Sequence, residues 1–128
     1  MLVLGVDPGT YKTGIGFVSS TNGDMTMTHS DVLSPPRSAS LPDRLAWIHD
    51  RMIQIIDEIK PTVVAIERPF VSRNVKAAMA VGQAQAVAMI AASHCSIPVV
   101  NYSPREVKKA VTDHGGSSKE QVQGMVGV

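Results

Sequence analysis

Two acidic residues, Asp7 and Glu67, each close a short apolar run, at positions 2–6 and 62–66. A carboxylate at such a place lies half in the protein core, where its charge is costly unless it is paired or bound to a cation. Two carboxylates in one cleft repel and raise a pKa unless a divalent ion neutralises them. Oxygen ligands without His or Cys nearby favour Mg²⁺ or Mn²⁺. The competing interpretation is a turn-initiating Asp before Pro-Gly and an ordinary strand-end Glu.

The segment after Glu67 combines an aromatic residue, Phe70, with basic residues that include Arg73, and Asn74 follows directly. Stacking on unpaired bases and holding phosphates requires an exposed ring beside cations. A second basic group contains Lys108 and Lys119. Lys119 falls in the first turn of a predicted helix, where a cation opposes the helix dipole and suggests anion binding assisted by backbone amides. The competing interpretation of both groups is a ring tucked under its loop and solvated surface cations.

The candidate residues described above are positioned by predicted strands and helices that alternate along most of the chain. Apolar runs and turn signals predict strands, and the spacing of apolar residues with capping signals predicts helices. The predicted strands are 2–7, 14–18, 25–32, 62–67 and 98–102, and the predicted helices are 40–59, 74–93, 103–113 and 118–128. Alternation after an opening antiparallel meander predicts an α/β domain with a mixed sheet.

Length and composition indicate one globular domain over residues 1–128. A net charge of +1 excludes a strongly basic, histone-like binder. Cys95 is the only cysteine, which fits a reducing, cytoplasmic setting. No apolar run approaches the ~18 residues of a membrane span, and the first residues form a strand pattern without a basic leader. We therefore expect neither a signal peptide nor a membrane partner.

The predicted helix 74–93 is rich in small residues, among them Ala78, Gly82 and Ala86. Small side chains let another backbone approach closely. This face of the helix could cover the sheet, which is the commoner use, or could bury against a second copy of the chain in a two-fold dimer.

Five segments of the sequence, taken in order, resemble the RuvC-type bacterial Holliday-junction resolvases, or crossover junction endodeoxyribonucleases. The segments are 4–16, 65–70, 82–84, 105–108 and 115–122. The resemblance implies an RNase H-like fold with a mixed five-stranded sheet and helices on both faces. It also implies a homodimer through helix 74–93, paired, metal-dependent hydrolysis of two opposed strands at a four-way DNA junction, and a role in recombination and repair. A branch-migration helicase is the further partner that such a family implies.

The same resemblance assigns roles to individual residues. Asp7 would bridge two Mg²⁺ or Mn²⁺ ions, and Glu67 would ligate one of them. Phe70 would contact bases near the crossover, and Lys108 and Lys119 would hold phosphates near the cut.

Members of the resembled family continue into a last helix that carries two more acidic or metal-binding residues. This sequence ends at Val128 and has no Asp, Glu or His after Glu120. We therefore expect this polypeptide to fold but to cut junctions poorly or not at all, and the alternative function is a catalytically incomplete junction-binding domain. Two weaker alternatives are an actin-like nucleotide-binding domain and an RNase H-like nuclease that trims ribosomal RNA precursors. The loop of Phe70 and the segment of Lys119 favour the resolvase.

Overall fold

The computed structural model describes residues 1–22, 24–67 and 74–102. Its elements lie within a few residues of the predicted ones at each end. They are β1 (Leu2–Asp7), β2 (Thr13–Thr21), β3 (Asp24–Leu33), α1 (Leu41–Ile59), β4 (Val63–Glu67), α2 (Val75–His94) and β5 (Val99–Tyr102). The helices predicted at 103–113 and 118–128 lie outside the described residues.

The strands form one five-stranded sheet in the order β3-β2-β1-β4-β5. The β1–β2 and β2–β3 pairs are antiparallel, whereas β1–β4 and β4–β5 are parallel. This arrangement confirms the mixed sheet. Because β1 has neighbours on both sides and runs parallel to β4, the carboxyl ends of these two strands meet at one edge of the sheet.

Alternate residues of the central strands form the core together with the two described helices. Leu4 and Val6 of β1 lie beside Phe17 and Ile66 of the neighbouring strands, and all four are buried. Burying a side chain of this size contributes about 1.5–3 kcal/mol relative to leaving it exposed. Both helices pack on this face of the sheet and on each other, so the residues that alternate with these four point to the opposite face.

Helix α1 begins as its sequence predicts, because the Ser40 hydroxyl accepts a hydrogen bond from the Asp43 N–H at 3.3 Å. The spacing of apolar residues predicts that one face of this helix is buried, and this prediction needs one correction; the predicted residues are Leu45, Ile48, Met52, Ile55 and Ile59. Ile59, the last helical residue, is 38% exposed, and Ile56 is buried in the core. Arg44 on the same helix is also buried, which the spacing of apolar residues did not predict.

Helix α2 is mostly apolar and carries apolar residues on both its buried and its exposed sides. Small residues that include Ala84, Ala88 and Ala91 are buried on one side, while Val75 and Met79 are exposed on the other. By length and composition alone α2 could cross a membrane, and 22% of the qualifying window is buried inside the protein. Core helices pass the same test, and α2 packs on α1 and on the sheet.

Candidate active site

The turn between β1 and β2 fixes the position of Asp7. A Cβ atom at Gly9 would overlap the backbone carbonyl oxygen of Lys12, so only glycine fits this turn as it is built. The buried Thr13 hydroxyl donates to the Gly9 carbonyl at 2.7 Å and accepts from the Gly9 N–H at 3.2 Å. These two bonds hold the turn that leaves Asp7 at the end of its strand.

The parallel pairing of β1 with β4 brings Asp7 and Glu67 side by side. Val6 pairs with Ile66, so the two acids occupy the next position of the same register. Val6 and Ile66 face the helices, and the two carboxyl groups therefore lie on the opposite face of the sheet. There they are hydrogen-bonded to each other. The prediction that two neighbouring strands deliver these acids to one place is confirmed.

Burial and mutual charge shift the titration of both acids. Burial, together with the charge of Asp7 and their hydrogen bond, raises the pKa of Glu67 from 4.5 to about 7. Burial also raises the pKa of Asp7, while its hydrogen bond with Glu67 acts in the opposite direction. Near neutral pH the pair therefore tends to hold one proton, which a divalent cation at the same place would displace.

A tyrosine that sequence reasoning missed stands beside the two acids. Tyr102 ends β5, pairs with Glu67 in the sheet register and is buried. Burial and the nearby charges of Glu67 and Asp7 raise the pKa of its phenol, which stays protonated as a hydrogen-bond donor. The signal was available, because Tyr102 closes a short apolar strand just as Asp7 and Glu67 do.

Of the predicted DNA contacts, only Asn74 lies among the described residues. Its side-chain oxygen accepts a hydrogen bond from the Ala77 N–H at 3.2 Å and caps the exposed start of α2. The other four, Phe70, Arg73, Lys108 and Lys119, lie outside the described residues. The structure therefore brings together Asp7 and Glu67 of the predicted set and adds Tyr102.

The donor set of this site suits a hard divalent cation. Asp7 and Glu67 offer carboxylate oxygens from two fixed strands, and oxygen is the donor that Mg²⁺ and Mn²⁺ prefer. Over residues 1–22, 24–67 and 74–102, no group of three or more His, Cys, Asp or Glu side chains is placed to hold a metal ion. Within these ranges the pair supplies two ligands, and an octahedral ion would fill its other positions with water or further donors.

A mixed sheet in this order, with carboxylates at the ends of its central parallel strands, is the architecture of the RNase H-like fold. The family model of the crossover junction endodeoxyribonuclease RuvC matches residues 3–128, and the chain belongs to this family. The relative from Dehalococcoides mccartyi strain BAV1 is 44% identical over 126 residues, which cover 98% of this chain and 75% of the relative. The Moorella thermoacetica relative is 41% identical over 98% of this chain and 75% of its own.

Solved structures agree with this family. Thermus thermophilus RuvC in complex with a Holliday junction substrate superposes with a TM-score of 0.82 at 31% identity, covering 100% of this chain and 81% of that one. The yeast mitochondrial Holliday junction resolvase Ydc2 superposes with a TM-score of 0.60 at 14% identity, covering 87% of this chain and 56% of that one. At this identity Ydc2 supports the fold alone.

Proposed function

We propose that this chain is an endonuclease that resolves four-way DNA junctions by hydrolysing one phosphodiester bond in each of two opposed strands during recombination and repair. The observation that carries the proposal is the hydrogen-bonded Asp7–Glu67 pair at the ends of two central parallel strands. The likeness to a resolvase that was solved with its junction supports the choice of substrate. Such an enzyme would act in the cytoplasm, and a branch-migration helicase is the partner that the family suggests.

In this proposal Asp7 and Glu67 hold the divalent cations, most simply Mg²⁺ and alternatively Mn²⁺. When bound, such ions make a water nucleophilic and stabilise the leaving oxygen. Asp7 is positioned by the Gly9 turn, and Glu67 would have to be deprotonated to hold a cation. The phenol of Tyr102 stays neutral beside them and adds no charge to the site.

For contacts with DNA, the proposal keeps the residues that the sequence predicts. Glu67 and Asn74 bracket a six-residue segment that contains Phe70 and Arg73, so these residues follow the acidic pair directly in the chain. We assign Phe70 to base contact and Arg73 and Asn74 to the adjoining backbone. We assign Lys108 and Lys119 to phosphates near the cut.

A homodimer through α2 supplies the second active site that paired cleavage requires. Exposed or half-exposed small and apolar residues form one stripe along the helix, the apolar stripe of Val75, Met79, Gly82, Ala86, Met89 and Ile90. Outside its own turn of helix, a Cβ atom at Gly82 would meet no atom of the described residues within 4 Å, so packing among these residues does not require glycine there. A second copy of α2 crossing at Gly82 would use that space and would relate the two sites by a two-fold axis.

The dimer is tested by placing a charge in the apolar stripe. Met79→Glu should convert a concentration-dependent dimer into a monomer, because two carboxylates would be buried near the two-fold axis. Sedimentation equilibrium measures the change, and Arg51→Gln, an exposed change elsewhere on α1, is the control. A Met79→Glu protein that dimerises as strongly as the wild type would overturn this interface.

The function itself is tested with an end-labelled four-way junction and a linear duplex of the same sequence. Nicks should be symmetric in two opposed junction strands with Mg²⁺ or Mn²⁺, absent in EDTA and rare in the duplex. We expect them to form slowly, because the described residues supply only two carboxylate ligands. Junction binding without nicks would establish the junction-binding alternative instead.

A further inference from the structure

A cleft of about 310 Å³ lies between the β1–β2 turn and the N-terminal halves of α1 and α2, apart from the Asp7–Glu67 pair. We name it the arginine cleft. The residues that carry its polar groups are Thr10, Tyr11, Arg44, Lys76 and Gln83. Tyr11 is four residues after Asp7, so the cleft and the acidic pair share the same turn.

Arg44 is a buried cation without a carboxylate partner. It is 8% exposed. Its Nη1 donates to the Ala39 carbonyl at 2.7 Å, and its Nε donates to the Thr10 carbonyl at 3.3 Å. Among the described residues no carboxylate lies within ion-pair distance of its guanidinium, whose remaining N–H donors are uncommitted there. A buried charge that is balanced by two carbonyl dipoles and the face of the Tyr11 ring, without a carboxylate, favours an anion nearby.

Two further cations, Arg37 and Lys76, lie near the ring of Tyr11 or line the cleft. Tyr11 is 46% exposed, with the guanidinium of Arg44 4.2 Å and that of Arg37 5.2 Å from its ring centroid. Lys76, exposed on the first turn of α2, lines the cleft from the other side. The acid nearest to Arg44 in sequence, Asp43, is exposed and makes no recorded ion pair within the described ranges.

Thr10 adds a hydroxyl group to the lining of the cleft. It is 7% exposed and lines the cleft. The structure records no hydrogen-bond partner for its hydroxyl among the residues it describes. A phosphate oxygen in the cleft would accept a hydrogen bond from this hydroxyl and from the free donors of Arg44.

We propose that the arginine cleft binds a backbone phosphate of the DNA substrate, away from the phosphate that is cut. The inference rests on the proposed function. A phosphate held by Arg44 and Lys76 would fix the strand against the turn that carries Asp7, and Tyr11 would offer its exposed ring to the adjoining nucleotide. Arg37 would add long-range attraction at the rim.

The test measures junction binding in EDTA, where no cleavage occurs, over a series of NaCl concentrations. Arg37→Gln and Lys76→Gln each remove one exposed charge, and Arg51→Gln is the matched control because it removes an exposed charge elsewhere on α1. Each lost phosphate contact should lower the slope of log K against log salt by about 0.9. We expect this for Lys76→Gln, with an affinity roughly threefold to tenfold weaker at low salt and a smaller loss for Arg37→Gln.

Sedimentation of each variant is measured first, so that a loss of affinity is not confused with a loss of dimer. A Lys76→Gln protein that binds the junction with wild-type affinity and slope would overturn the arginine cleft as a DNA site. If inorganic phosphate also raises the melting temperature of that Lys76→Gln protein, the cleft is a site for a free anion. This result too would overturn the proposal that the cleft binds DNA. A wild-type chain that does not prefer the junction to duplex DNA would instead overturn the proposed function.

Discussion

Two groups of titratable side chains in this molecule differ in what holds them. The first is the Asp7–Glu67 pair on the sheet. The second, here called the helical cluster, lines a cavity of about 540 Å³ between α1 and the end of α2, with His49, Asp57 and Cys95 among its members. The helical cluster lines a cavity and has the residue types that transition metals prefer. By size and composition alone it would be the more attractive site.

The side chains of the helical cluster are engaged locally. The rings of His49 and His94 meet edge to face with centroids 5.8 Å apart. His49 Nδ1 lies 3.3 Å from a carboxylate oxygen of Asp50, whose side chain is 78% exposed, and the Cys95 thiol donates to Asp57 at 3.7 Å. Exposed ion pairs of this kind contribute little free energy.

The acidic pair is held by the sheet and not by local contacts between side chains. The register of β1 and β4 fixes the separation of its backbones, and burial shifts its titration. The difference teaches that the candidate active site of this fold lies where strand register holds two like charges close together. Cavity size and the presence of good ligand types are not sufficient.

The largest effect is expected from removing a charge from the acidic pair. Asp7→Asn keeps the shape of the side chain but removes a cation ligand worth several kcal/mol in the transition state. Junction cleavage should fall by about a thousandfold or more, while the melting temperature of the metal-free protein stays the same or rises, because a repulsive charge is lost. The initial rate of nicking measures this, and cleavage within tenfold of the wild type would contradict it.

A smaller effect is expected from disturbing the turn that holds the pair. Gly9→Ala forces a Cβ atom onto the Lys12 carbonyl, so the turn must shift and carry Asp7 with it. A misplacement of about 1 Å can lower the rate roughly a hundredfold. Thr13→Val, which deletes the two hydroxyl bonds to Gly9, should lower the rate in the same direction but less. Full cleavage by both variants would show that the turn does not position the acid.

The acidic pair also predicts how the stability of the protein depends on pH. The pKa of Glu67 is higher in the folded protein, at about 7, than its ordinary value of 4.5. The folded state therefore binds more protons than the unfolded state between these values, and this contribution to the free energy of unfolding is present below pH 4.5 and is lost as pH rises to 7. Urea denaturation of the metal-free protein at pH 5 and pH 8 measures it.

Glu67→Gln is the control for that measurement, because it removes the titrating group and should flatten the dependence between pH 5 and pH 8. Added Mn²⁺ should stabilise the wild type more at pH 8 than at pH 6, since the cation competes with the proton. Equal stabilisation at both values would argue against a cation at this pair.

The smallest effect is expected from the helical cluster. His49→Ala and His94→Ala each remove one ring contact, worth about 1 kcal/mol of stability. Junction cleavage should stay within about twofold of the wild type, because neither ring touches the acidic pair. A loss comparable to that of Asp7→Asn would mean that the wrong region carries the chemistry.

The sequence alone was enough to predict the site residues whose placement follows from a local pattern of apolar residues. Asp7 and Glu67 could be predicted because buried runs end at them, and the sheet could be predicted from the alternation of strands and helices. Arg44 could not, because its burial depends on carbonyl groups at Thr10 and Ala39 that only the folded chain brings to it. Tyr102 was missed because its strand is the last of the five and its register with Glu67 is a property of the sheet.

The central claim is that Asp7 and Glu67 together hold a divalent cation, and Mn²⁺ binding tests it without depending on cleavage. Electron paramagnetic resonance of free Mn²⁺, titrated with wild-type protein at pH 8, should show binding that Asp7→Asn and Glu67→Gln each weaken by about tenfold or more. His49→Ala serves as the control and should bind as the wild type does. Mn²⁺ binding that is unchanged in Asp7→Asn and lost in His49→Ala would contradict the account.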